Sequence, residues 1–208
     1  MAGYELAKLR RRLLTKLGRA SEALEAAWAG YREHPSRYSY DELMKFVPKA
    51  ERPVWHEKAI QAAADTDLPS LIELLLETRE IGLLGDLVRR STDQALEDAG
   101  DHATERAARK LEKTHADAAA RLWRALGVRI LKAKGSKHYE AAIENLGRAR
   151  RCYEKAGQDA DWREVVRGVR ANHHRKTAFM PGFEKMAGPQ GRREEPSFLE
   201  QAKARWGA

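Results

Sequence analysis

Apolar residues recur three and four positions apart along most of this chain and nowhere alternate with polar ones for long enough to build a strand, so the pattern restricts it to helices. The stretch from Leu122 to Met186 shows this best. Ala119, Leu122, Trp123, Leu126, Ile130 and Ala133 fall on one stripe, Gly135-Ser136 interrupts it, and a second amphipathic run opens near Tyr139. Gly157 breaks the chain again before a third run anchored on Trp162; His173-His174-Arg175-Lys176 then precedes the turn Phe179-Met180-Pro181-Gly182-Phe183. The expectation is a set of helical hairpins laid side by side.

The earlier part follows the same rules. Tyr4, Leu6, Leu9, Leu13 and Leu17 recur at helical spacing with basic residues between them, and Gly18 stands where a left-handed residue ends a helix. Ser21 is placed to cap a second helix with Ala23, Ala27, Gly30 and Tyr31 on one face, and His34-Pro35 stops it. A third helix is expected to start near Ser39, because Ser39 and Glu42 fit a capping box; Leu43, Met44, Phe46 and Val47 are its apolar positions. Pro48 and Pro53 bracket a turn before a helix with Val54, Trp55, Ala59, Ile60 and Ala63.

Asp67 followed by Pro69 marks another helix start, and Leu71, Ile72, Leu74, Leu75 and Leu76 cover most of that helix's circumference, which predicts an interior position. Ile81, Leu83, Leu84, Leu87 and Val88 continue, with breaks expected at Gly82 and Gly85. Ser91 to Lys113 reads as two short, more exposed helices without chemistry, and Asp117 opens the helix that carries Leu122.

Two of these helices share offsets. Gly18 precedes Ala23, Ala27 and Gly30, and Gly135 precedes Ala142, Leu146 and Ala149. In a repeat, such positions are where one helix of a hairpin packs on the other. The pattern resembles the tetratricopeptide repeat, whose second helix carries small, larger and small residues and whose copies close on a proline, as at Pro35. A second likeness rests on Lys137-His-Tyr-Glu-Ala-Ala, Arg150-Arg-Cys-Tyr-Glu-Lys-Ala-Gly, Asp161-Trp-Arg and His173-His-Arg-Lys-Thr-Ala-Phe-Met-Pro-Gly-Phe. These runs look like the C-terminal helical region of bacterial SWIM zinc-finger family proteins. That resemblance implies the family's helical scaffold. Its zinc module, Cys-x-Cys followed by Cys-x-His, cannot be built with Cys152 as the single cysteine.

One cysteine also excludes an internal disulfide framework. Lys8, Arg10, Arg11 and Arg12 interrupt the first apolar run, so it does not read as a secretion signal, and no later segment approaches the roughly 20 apolar residues of a membrane span. The expected setting is therefore soluble and cytoplasmic, without membrane association. Lys and Arg number 39 against 31 Asp and Glu in 208 residues, a net charge of +8, which attracts polyanions weakly before any specific site is considered.

The basic residues are not scattered evenly. Arg163, Arg167, Arg170 and His174 form a row continued by Arg175 and Lys176, and Arg148, Arg151 and Lys155 share one face of the preceding helix. Such rows can neutralise a phosphate backbone or meet an acidic protein. Glu140, Glu144, Glu154 and Glu164 lie among them, and no exposed aromatic cluster for base stacking accompanies them. His173 continues the apolar face of Trp162, Val165, Val166 and Val169, whereas His174 joins the cationic row, so the pair does not make a rigid metal site.

Trp123, Trp162, Tyr139, Tyr153 and Phe179 read as core anchors, and Cys152 as a buried structural thiol. No nucleophile-and-base arrangement, glycine-rich phosphate loop or HExxH is present, so neither catalytic residues nor a cofactor is expected. Residues 188–208 change to Gly, Pro and charge; Ser197 could cap a short docking helix with Phe198, Leu199, Ala202 and Trp206 on one side, or the segment is disordered.

Together these features predict an all-α stack of antiparallel helical hairpins over residues 1–187, a tetratricopeptide-like α-solenoid acting as a non-enzymatic scaffold for a protein or peptide partner. The alternative is a nucleic-acid-associated protein using the basic rows.

Overall fold

The computed structural model describes residues 2–133 and 135–188, with side chains from Glu5 onward. The helix read at Ser197 lies outside them. Among the described residues every regular element is helical: α1 (Ala2–Lys16), α2 (Ala20–Glu33), α3 (Arg37–Met44), α4 (Arg52–Ala62), α5 (Leu68–Glu77), α6 (Ile81–Arg90), α7 (Asp93–Asp98), α8 (His102–Leu111), α9 (Ala116–Lys132), α10 (Tyr139–Lys155), α11 (Asp159–His173) and α12 (Met180–Ala187).

Helix α9 organises the C-terminal part. It packs along α10 and is also met by α6, α7, α8 and α11, so Trp123, Leu122, Leu131 and a run of alanines on it are fully buried. The other anchors are also inside: Trp162, Tyr153 and Phe179 are buried, and Tyr139 packs edge-on against Phe179. Helix α12 closes on α10, where Met186 lies against Gly147 and Ile143 against Gly182. In the N-terminal part α1 packs on α2, α2 on α3, and α3 on α4 and α5; Tyr31 fills the junction and donates to the carbonyl of Ala59 at 2.8 Å.

Several local expectations hold for the reasons given. Asp67 accepts the amide of Ser70 at 3.0 Å with Pro69 in the first turn, and α5 buries Leu71, Ile72, Leu74 and Leu75. Gly18 has φ +74° and lets the amide of Arg19 reach the carbonyl of Leu14, closing α1.

Others are corrected. Helix α2 starts at Ala20 without a Ser21 cap; the guanidinium of Arg19 instead grips Glu22 through two bonds of 2.6 Å. Helix α3 starts after Ser36, and its capping box joins Ser36 to Ser39, because Pro35 already stops α2 and Glu42 is taken by Lys45 and Arg11. Gly82 and Gly85 do not break α6, which runs through both; at Gly85 a Cβ would stand 2.9 Å from the ring of His115, so the glycine serves helix contact. Nor is α8 an exposed connector: Thr104, Ala107, Ala108 and Leu111 are buried on it.

Helix α1 differs from the other helices in the face it turns inward. An apolar helical stripe ordinarily faces the core. Here α1 turns Arg11 and Leu14 towards α2, where Arg11 passes the bare Gly30, and leaves Leu6, Leu9, Leu13 and Leu17 exposed.

Candidate functional site

The two basic rows occupy different surroundings. On α10, Arg148 lies over the ring of Trp123 with its guanidinium carbon 4.7 Å from the centroid, and it bonds Glu144 at 2.7 Å. Lys155 donates to the backbone carbonyl of Glu112 at 2.6 Å, tying down the end of α8 where helix carbonyls lack partners. Arg151 is exposed and has no ion pair among the described residues. This row therefore faces the α8–α9 turn, and much of its charge is committed to structure.

On α11, Arg170 forms a two-pronged bond to Glu184 of α12 at 2.9 and 2.6 Å, which holds that carboxyl below its ordinary range through the hydrogen bond. Arg167 pairs with Glu164, and His174 Nδ1 lies 3.0 Å from the carbonyl oxygen of Ala171. Lys176 reaches Tyr139 Oη at 3.4 Å. Arg163 and Arg175 are exposed. Of the predicted residues, Arg148 and Lys155 are thus tied to the α8–α9 part and Arg170 to α12, and the two rows do not form one surface.

A different feature lies between α9 and α11. A groove of about 990 Å³ separates α6, α7 and α9 from α11, with Tyr153 of α10 also lining it. Its α9 wall is a charge lattice. Arg121 donates to the carbonyls of Val88, Arg89 and Ser91 at 2.6 to 2.8 Å, satisfying the end of α6, and also bonds Asp93 at 2.7 Å. Arg89 clasps Asp117 at 2.6 and 3.1 Å, and this hydrogen bonding holds the Asp117 carboxyl low. Glu97, only 7% exposed, stands between Arg124 at 3.3 Å and Lys132 at 2.5 Å. Arg124 is also nearly buried, and its Nε has no hydrogen-bond partner among the described residues.

The α11 wall is built from the face that Trp162 anchors. Val165, Val169 and His173 line the groove beside Asp161 and Glu164. Trp162 backs Tyr153 at 6.4 Å between ring centroids. Burial pushes the Tyr153 phenol up to about 12 and lowers His173, which Lys176 and Lys132 disfavour further as a cation. Both are therefore neutral near pH 7. The groove offers apolar area and fixed charges of both signs, which suit a polar chain segment.

Asp93, Glu97, Arg121, Arg124 and Lys132 were invisible as a site in sequence. Their available signal was spacing: Asp93 and Glu97 at i,i+4 and Arg121 and Arg124 at i,i+3 share helix faces, but only the packing of α7 on α9 brings the two sets together.

Elsewhere, Cys152 is buried on α10, and burial raises its thiol above the ordinary range despite Arg151, Lys155 and Arg148 nearby. Among the described residues no group of three or more His, Cys, Asp or Glu side chains is placed to hold a metal ion, and no helix is long and apolar enough to cross a membrane. Comparison with protein-family models, with curated proteins and with solved structures found no match.

Proposed function

We propose that this protein is a non-enzymatic scaffold with a tetratricopeptide-like, α-solenoid arrangement of hairpins, which binds a helix or extended segment of a partner protein in the groove between α9 and α11. The observation that carries this reading is the groove: about 990 Å³, apolar on Val165 and Val169 and walled on α9 by the fixed charges of Arg121, Arg124 and Lys132. The repeat reading draws support from Ala23 and Ala27 on α2 and from Ala142, Leu146 and Ala149 on α10, all buried at the offsets where paired helices meet. The likeness of the C-terminal runs to the helical region of SWIM zinc-finger proteins implies the same kind of scaffold.

Nucleic-acid association through Arg163, Arg167 and Arg170 draws less support, because Glu164 and Glu184 already engage two of the three. One experiment separates the readings. Peptides selected from a random library on the wild-type protein are retested on Val165→Arg, which fills the groove, and on the triple Arg163, Arg167, Arg170→Ala variant. Loss on the first and retention on the second is expected. Failure to select any peptide, together with salt-sensitive binding of generic duplex DNA that the triple variant abolishes, would replace this reading with the second.

A further inference from the structure

Helix α1 carries most of its apolar residues on the side turned away from the other described helices. Leu6, Leu9, Leu13 and Leu17 are 68%, 52%, 51% and 69% exposed. At 3.6 residues per turn they lie within an arc of about 80°. Contiguous apolar strips of this kind mark interaction sites.

We propose that this stripe docks one amphipathic helix of another protein, with leucine-type residues along its seam and acidic residues on its flanks. The width of the stripe supports a single helix, because it matches the narrow seam through which two helices pair and falls short of the broader face a helix turns to a core. Charge supports an acidic partner. Arg12 and Lys16 border the stripe on one side with Glu5 between them, and Arg10 borders it on the other, so basic residues outnumber acids three to one along its flanks. Charges flanking a helical seam choose the partner.

A second copy of α1 fits less well, since Arg10, Arg12 and Lys16 would meet their own equivalents. An anionic bilayer would meet the same basic flanks, but an apolar arc of about 80° matches a helix–helix seam. The stripe is separate from the groove of α9 and α11, so the two sites stand or fall independently.

The test uses two labelled synthetic peptides of three heptads, each with Leu at a and d, one with Glu and the other with Lys at e and g, followed by fluorescence anisotropy with the full chain. The Glu peptide is expected to bind in preference, more weakly as salt rises, and about tenfold or more weakly to Leu9→Ser/Leu13→Ser. In Arg10→Glu/Arg12→Glu/Lys16→Glu the preference should reverse to the Lys peptide. The leucines are exposed, so circular dichroism and melting of the serine variant should match wild type. Equal affinity for both peptides overturns the proposal. So does sedimentation with vesicles of anionic but not neutral phospholipid that the serine variant loses, or a wild-type dimer that the same variant dissociates. Val165→Arg should leave the Glu-peptide affinity unchanged.

Discussion

Leu146 of α10 packs onto the bare backbone of Gly127 in α9, so closely that a Cβ at Gly127 would come within 2.7 Å of Leu146 Cγ. The same Cβ would stand 3.2 Å from the carbonyl oxygen of Ala142. This contact sets the spacing of the two longest helices and hence of the wall on which the groove is built.

Gly127→Ala should therefore destabilise the protein by about 1–3 kcal/mol through overpacking, even though alanine is the better helix former. Gly168→Ala provides the comparison. That glycine lies inside α11 with nothing within 4 Å of an added Cβ, so the same substitution should stabilise by about 0.5–1 kcal/mol. Urea unfolding of the two variants should move in opposite directions.

Arg79 is the one non-glycine residue with positive φ among the described residues, at +65°. It occupies the left-handed position closing α5, with the amide of Glu80 bonding the carbonyl of Leu75 at 2.9 Å, as Gly157 does after α10. The side chain is exposed, so Arg79→Gly removes backbone strain without losing a core contact. A gain of about 0.5–1 kcal/mol in chemical unfolding is expected, the strain relieved being partly offset by the freedom glycine adds to the unfolded chain.

Trp162 carries the α11 wall against Tyr153. Replacement by alanine should cost about 3–5 kcal/mol. A melting temperature close to wild type would mean that the ring is not the anchor its burial indicates.

Much of this fold was legible in sequence because helix periodicity, proline stops and the Asp67 cap are local signals. What was missed is non-local. The spacing of the α1 leucines indicates a helix but not its rotation: the small residues of α2 receive Arg11 and Leu14, and that choice depends on how two helices rotate against each other. Gly85 reads as a break until His115 is seen beside it. The basic rows were visible, yet Lys155 and Arg148 are claimed by the Glu112 carbonyl and Trp123 ring, contacts between residues far apart in the chain. The groove required α7, α9 and α11 to be in place together.

The Arg170–Glu184 pair links α11 to α12 and makes that junction acid-sensitive. The Glu184 carboxyl titrates below its ordinary value of 4.5 in the folded protein. Its stabilising contribution is therefore present above that value and lost as pH falls through the lowered one. Glu184→Gln should lower the melting temperature slightly at neutral pH and reduce its fall as pH drops from about 5 to about 3. A variant with the same acid dependence as wild type would show that the pair does not couple to folding.

His173 works in a higher pH range. Its folded-state pKa lies below the ordinary 6.5, chiefly because the ring is partly buried beside the groove and secondly because Lys176 and Lys132 repel a charge there. Protonation consequently favours the unfolded chain: stability is full above about pH 6.5 and declines as pH falls through that value towards the folded-state one. His173→Gln keeps a polar side chain that cannot titrate. The difference in melting temperature between variant and wild type should shift in the variant's favour from pH 7.5 to about pH 5.5, because only the wild type carries this penalty. The same ring lines the groove, so peptide binding there should also respond in this range, and the His173→Gln variant should lose that response. A pH-independent difference between the two proteins would show that His173 is not held neutral by its surroundings.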